Sequence, residues 1–239
     1  MKKRLIYTAI TAIALLALNE QMQNQPQPKP DVRFTKMAKS GESLKPWQGP
    51  WHCVFDRQLG LYWEVKQEDE SIHQADWTYS WFDGSKGQAN LGDCYFKKDR
   101  CDTQDLIQAT NQEQLCGQAA WRLPTSMELN ALYRPQDRAH RPLLSEDYFP
   151  RLKDGDYWTA DADVSLTGFF KRLGKGAFAF NPYDWQLREL PYRNAAFVIL
   201  VADAQTPTTS MQTNFTPANS VSLEQSQIKS KALALSTKN

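Results

Sequence analysis

The segment Leu115–Leu129, Leu-Cys-Gly-Gln-Ala-Ala-Trp-Arg-Leu-Pro-Thr-Ser-Met-Glu-Leu, constrains the fold more than any other stretch of the chain. It is where one helix ends and another begins. Gly117 can take the left-handed conformation that closes a helix. Pro124 precedes a start signal in which Thr125 is a natural N-cap and Glu128, three residues on, has the capping-box spacing. Upstream, Asp102 and Asp105 mark the start of the first helix, with Leu106, Ile107 and Thr110 on one face. Downstream, Leu129, Leu132 and Tyr133 form the apolar stripe of a helix over Ser126–Tyr133, which Pro135 ends. Around these two central helices lie short strand-like runs: Leu61–Val65, Thr78–Trp81, Tyr157–Ala160, Gly168–Leu173, Ala177–Phe180 and Ala195–Ala202. Helices set between groups of short strands predict an α+β domain with an antiparallel sheet.

The 8 tryptophans all fall between Trp47 and Trp185, and the 4 cysteines between Cys53 and Cys116. That clustering predicts a folded domain over 45–203, long enough to bury a core. Residues 19–44 open with Asn-Glu-Gln-Met-Gln-Asn-Gln-Pro-Gln-Pro-Lys-Pro and read as a Gln/Pro-rich linker. Residues 204–239 are rich in Ser, Thr, Asn and Gln and read as a disordered polar tail. Residues 1–18 pair the basic Lys2-Lys3-Arg4 with an apolar run from Leu5 to Leu18, too short for an ordinary span. They read as a secretory signal peptide or an uncleaved N-terminal anchor. Both place the domain in the periplasm, on the cell surface or outside the cell.

The cysteines suit such an oxidising compartment. Four cysteines allow three pairings. Cys94 and Cys101 bracket a short polar loop, so a local bridge is easy, which leaves Cys53 with Cys116. A zinc site is the competing reading. It lacks paired C-x-x-C steps and a histidine at ligand spacing. No metal or other cofactor is expected. His52, His73 and His140 are scattered outside any H-x-x-x-H pattern, and neither a G-x-S-x-G elbow nor a glycine-rich phosphate loop is present. The net charge is +1, and removing Lys2, Lys3 and Arg4 takes it to −2, so nucleic acid is not an expected partner.

The motifs resemble one family closely. Leu115-Cys116-Gly117 followed by Trp121-Arg122-Leu123-Pro124-Thr125 and Glu128-Leu129 is similar to the signature of exported bacterial domains named for the C-terminal domain of the Legionella collagen-like adhesin, Lcl. Cys53-Val54-Phe55-Asp56, Gly60–Lys66, Trp77–Phe82, Tyr148-Phe149-Pro150 and Tyr157-Trp158-Thr159-Ala160 resemble further motifs of that family. The likeness weakens beyond residue 160, where Phe197–Val201 lacks the arginine of the family's closing strand. The resemblance implies a C-type-lectin-like architecture and binding at a surface.

Several groups are candidate sites. Glu68-Asp69-Glu70, or Asp161 with Asp163, have the chemistry to flank a glycosidic bond or hold calcium, but lack a calcium-loop spacing and read as solvated acidic loops. Trp121 and Arg122, at a helix–helix junction, read as framework. Two basic groups are better binding candidates. One is Arg134, Arg138, His140 and Arg141, after the second helix. The other is Lys171, Arg172 and Lys175, leading into Tyr183, Trp185 and Arg188. Arginine forks recognise sulfate and carboxylate, and aromatic faces stack on sugar rings. The expected function is therefore non-catalytic binding of a glycan or another acidic polymer, in the manner of an adhesin. The alternative is a structural or accessory subunit of a periplasmic or surface assembly, whose partner is another protein or a second copy of the chain.

Overall fold

The computed structural model describes residues 31–94, 100–133 and 147–204. The chain divides into two units, Met1–Ala204 and Gln205–Asn239. The expected leader, the Gln/Pro run before residue 31 and the polar tail beyond Ala204 lie outside the described residues. No helix among the described residues is long and apolar enough to cross a membrane.

One sheet is formed by β1 (Phe34–Met37), β2 (Cys53–Asp56), β3 (Leu61–Glu64) and β8 (Val201–Asp203), in that order and antiparallel throughout. Its register places Lys36, Val54, Trp63 and Val201 in one row and Met37, Cys53 and Glu64 in the next. Because neighbouring residues face opposite sides, the sheet is buried on both faces. One face meets Leu106 of α1 (Thr103–Glu113) together with Leu115 and Trp121. The other meets Leu129 and Leu132 of α2 (Ser126–Leu132), with Phe149 and Tyr157. A second sheet is centred on β6 (Lys175–Asn181). It pairs with β7 (Gln186–Pro191) along one edge, and with β4 (Tyr157–Trp158) and β5 (Val164–Ser165) along the other. The α+β class and the antiparallel pairing are as the sequence predicts.

Both helix starts follow their local signals. The Asp102 carboxylate accepts from the Asp105 amide, and Thr125 and Glu128 form the reciprocal capping box. Both disulfides also follow expectation, joining Cys53 to Cys116 and Cys94 to Cys101.

Four expectations are corrected. First, residues 31–44 are not linker. Phe34–Met37 is the edge strand β1, and Arg33 is buried against Asp56. Second, α1 does not run to Gly117. It stops at Gln114, which takes the left-handed conformation (φ 50°), and Cys116 and Gly117 continue in a separate 3-10 turn. The tie from Cys116 to Cys53 and the bond from its amide to the Lys39 carbonyl pull that turn off the helix axis. Third, Gly168–Leu173 is a 3-10 turn, because positive φ at Gly168 and Gly174 reverses the chain where a strand was expected. Fourth, Thr78–Trp81 and most of Ala195–Ala202 are extended but make single bridges, such as Tyr79 with Ala196 and Tyr157 with Phe197, in place of a continuous ladder.

Candidate functional site

The predicted binding residues do not converge. Arg134, Arg138, His140 and Arg141 lie outside the described residues. Lys171 and Arg172 are exposed on the 3-10 turn, and Lys175 opens β6, where its ammonium donates to the Asp163 carbonyl and to the Ser165 hydroxyl. Tyr183 and Trp185 sit in the turn after β6, at the far end of a 7-residue strand. At roughly 3.3 Å per residue, that separation is about 20 Å. Trp185 packs edge-on against Phe180 and Tyr133. Arg188 is held by the carboxylates of Asp184 and Asp156, so its fork is already occupied.

The framework candidates are engaged too. Trp121 is buried and its indole N–H donates to the Leu115 carbonyl. Arg122 grips Glu128 through two parallel bonds of 2.8 and 2.9 Å and reaches Asp203. Burial would raise the Glu128 carboxyl, but the Arg122 guanidinium outweighs it and holds the group below its ordinary range. Asp161 accepts from the Ser126 amide at the start of α2, and Asp163 pairs with Lys86. Glu68 pairs with Arg151, and Asp69 accepts from Ser71. Among the described residues no group of three or more His, Cys, Asp or Glu side chains is placed to hold a metal ion.

A candidate site that sequence reasoning missed lies on the edge strand. The chain between β1 and β2 folds back onto β1, through bonds from the Leu44 amide to the Lys36 carbonyl and from the His52 amide to the Met37 carbonyl. This brings Pro46, Trp47, Gln48 and Trp51 beside Lys36, with Asp147 and Tyr148 opposite, around a cavity of about 380 Å³. The Trp51 indole N–H donates to the Tyr148 carbonyl at 2.9 Å, which fixes the ring. The Lys36 ammonium stands 3.6 Å from the centre of the Trp51 ring and 5.5 Å from that of Tyr148.

Lys36 is only 7% exposed, because its position in the β1 register turns it toward the core row of Val54 and Trp63. Its ammonium makes no hydrogen bond or ion pair with any described residue; the aromatic faces are what it meets. Burial lowers its pKa, and Asp147, acting from a longer distance, offsets part of that. A partly desolvated ammonium set against ring faces retains donors for a ligand. Trp47, 52% exposed, presents its indole at the mouth. The lining therefore offers a cation, an exposed carboxylate and aromatic rings, and its residues include no histidine, cysteine or serine. A lysine inside a four-residue strand gave no periodic signal. The available clue was Trp47 and Trp51 flanking Gly49-Pro50, two aromatics held by a turn ahead of the first cysteine.

No curated protein sequence matches the chain. The family model described as the Lcl C-terminal domain matches residues 52–202, well over half of the sequence and almost all of the fold from β2 to β8. The chain belongs to the Lcl C-terminal domain family.

Proposed function

We propose that this chain is an exported, non-catalytic, adhesin-like binding domain of C-type-lectin-like architecture, and that it takes an acidic glycan in the Lys36 pocket. The observation that carries the reading is the Lys36 ammonium, set against the Trp51 and Tyr148 rings at the cavity wall and without a hydrogen bond or ion pair to any described residue. A sugar presents an apolar ring face and a rim of hydroxyls. An aromatic ring such as Trp47 takes the face, while Lys36 donates to a carboxylate or sulfate and Asp147 accepts from hydroxyls. The cavity is of the size that ordinary ligand sites have. Family membership and two disulfides, which form and persist in oxidising compartments, support an extracytoplasmic, surface-binding role. Lys36, Trp47 and Trp51 precede the matched segment, so these proposed ligand contacts rest on the pocket's geometry and not on family membership.

Binding of the purified chain to acidic and neutral polysaccharides at low and high salt tests this reading. Lys36→Met should abolish the preference for acidic polymers, and Trp47→Ala should weaken binding to acidic and neutral polymers alike. If no acidic polysaccharide binds at low salt, or if both variants bind like the parent, the reading fails.

A further inference from the structure

The loop joining β5 to β6 carries a turn, Gly168–Leu173, that buries none of its own residues. Leu166 is the last buried anchor before it, and the Leu166 amide closes the loop by donating to the Gly174 carbonyl at 3.0 Å. Beyond that closure stand Phe169, 94% exposed, and Leu173, 51% exposed. Phe169 and Phe170 meet edge to face. Gly168 and Gly174 bound the turn at φ 53° and 79°, and a Cβ at either would meet nothing within 4 Å. Glycine is therefore needed at these positions for backbone conformation and not for space, and the reversal they allow is what presents the tip.

Between the two apolar residues lie Lys171 and Arg172, both exposed, and no described residue forms a hydrogen bond or ion pair with either side chain. The Glu189 carboxylate on β7 accepts from the Thr167 hydroxyl at 2.6 Å. Large apolar groups on an exposed turn remain hydrated at a cost. Phenylalanine and leucine flanking two exposed cations suit a soft medium that is apolar inside and anionic at its surface.

We propose that the β5–β6 tip is a second interaction surface, which docks the domain on an anionic phospholipid membrane. Phe169 and Leu173 enter the boundary between headgroups and acyl chains, while Lys171 and Arg172 face lipid phosphates. The surface shares no residue with the Lys36 pocket, so membrane contact and glycan binding are separable.

The test is co-sedimentation of the full chain with phosphatidylcholine vesicles prepared with and without phosphatidylglycerol. The parent should partition onto the anionic vesicles and be released by salt. Phe169→Ser with Leu173→Ser should lower that partitioning by about tenfold or more, as should Lys171→Ala with Arg172→Ala. All of these chains share residues 1–30, so the comparison is made at sub-saturating lipid, where binding by the apolar N-terminal run is a common background and a difference at the tip still registers. Each substitution is at an exposed position, so unchanged melting confirms that the fold is intact. Equal sedimentation of parent and variants overturns the proposal and leaves the tip as a surface for a protein. Equal sedimentation on neutral and anionic vesicles also overturns it.

Discussion

Replacing Arg33 with Met should destabilise the domain by about 3–5 kcal/mol, the range for breaking a buried ion pair from one side. The Arg33 side chain is 5% exposed and Asp56 is fully buried. The guanidinium Nε lies 2.9 and 3.0 Å from the two carboxylate oxygens, and Nη2 lies 2.6 Å from Oδ2. Nη2 and Nη1 also donate to the carbonyls of Ala131 and Leu132, at 2.9 and 3.2 Å. Those carbonyls are at the C-terminal end of α2, a 7-residue helix with no basic residue in its own last turn. Arg33 thus supplies, from a distant strand, the cation that the helix end favours. Its removal strands a buried carboxylate and two helix carbonyls together. For a domain of this size each kcal/mol lowers the melting temperature by about 2–4 °C, so a fall of roughly 6–20 °C is expected. Thermal and urea unfolding of Arg33→Met, Asp56→Asn and the double variant measure it. Asp56 also accepts from the Gln58 and Leu59 amides, contacts that asparagine can keep. The double variant should therefore be more stable than Arg33→Met alone, because the uncompensated charge is gone. A loss below about 1 kcal/mol for Arg33→Met, or a double variant worse than the single one, refutes the reasoning.

Three further outcomes follow from the buried chemistry. Glu64 is fully buried and accepts from Lys66 at 2.8 Å and from His73 at 2.7 Å, while the far nitrogen of His73 faces Glu113 at 3.5 Å. Burial works against charge on Glu64 and His73, but the partners prevail: Glu64 is lowered to about 2 and His73 is raised. Glu113, chiefly through His73, is also lowered to about 2. The stability contributed by His73 is present below its unfolded value of 6.5 and is lost as pH rises through the higher folded value; that of the glutamates is present above 4.5 and lost toward 2. Melting temperature should therefore peak on the acid side of neutrality, and His73→Gln should flatten its alkaline limb. In the chain-entropy relation the bridge of separation 63 contributes about 4 kcal/mol and that of separation 7 about 2–3, so paired alanine substitutions should rank in that order by urea unfolding. Trp121→Ala should cost about 3–5 kcal/mol by the same measurement, as expected for a buried aromatic at the junction of α1 and α2.

What the sequence revealed was local. The caps of α1 and α2 are contacts over three residues, between Asp102 and Asp105 and between Thr125 and Glu128, so their residue types announce them. The disulfides were legible because four cysteines leave few pairings and the Cys94–Cys101 loop is short. The framework role of Trp121 and Arg122 followed from their place between two helices. Strand β1 was not legible, because four residues ending in Lys36-Met37 carry no alternating pattern, and their partners are set by the register with β2. The pocket was less legible still, since Tyr148 reaches Lys36 only through the tertiary fold. Arg188 misled because one of its two carboxylates, Asp156, is remote in sequence; the other, Asp184, stands at i−4 and was available as a warning.

Arg33, just before β1, and Lys36, the third residue of β1, are two cations with largely buried side chains, and they differ in what their charges meet. Every direction in which the Arg33 guanidinium donates meets a carboxylate or a helix carbonyl. The Lys36 ammonium meets ring faces, and its lowered pKa reflects a charge that the folded state holds at a disadvantage. Partial desolvation of that charge costs stability, and cation–π contact recovers only part of it, about 0.5–2 kcal/mol. Lys36→Met keeps the length and apolar stem of the side chain while removing the charge. It should leave the melting temperature unchanged or raise it, where Arg33→Met lowers it. The same substitution should remove selectivity for acidic glycans. A fold that keeps a destabilising cation beside an open cavity has that cation available for a ligand. Loss of more than about 1 kcal/mol in Lys36→Met, measured by urea unfolding, would show that the ammonium is part of the framework and would remove the basis for assigning it to ligand binding.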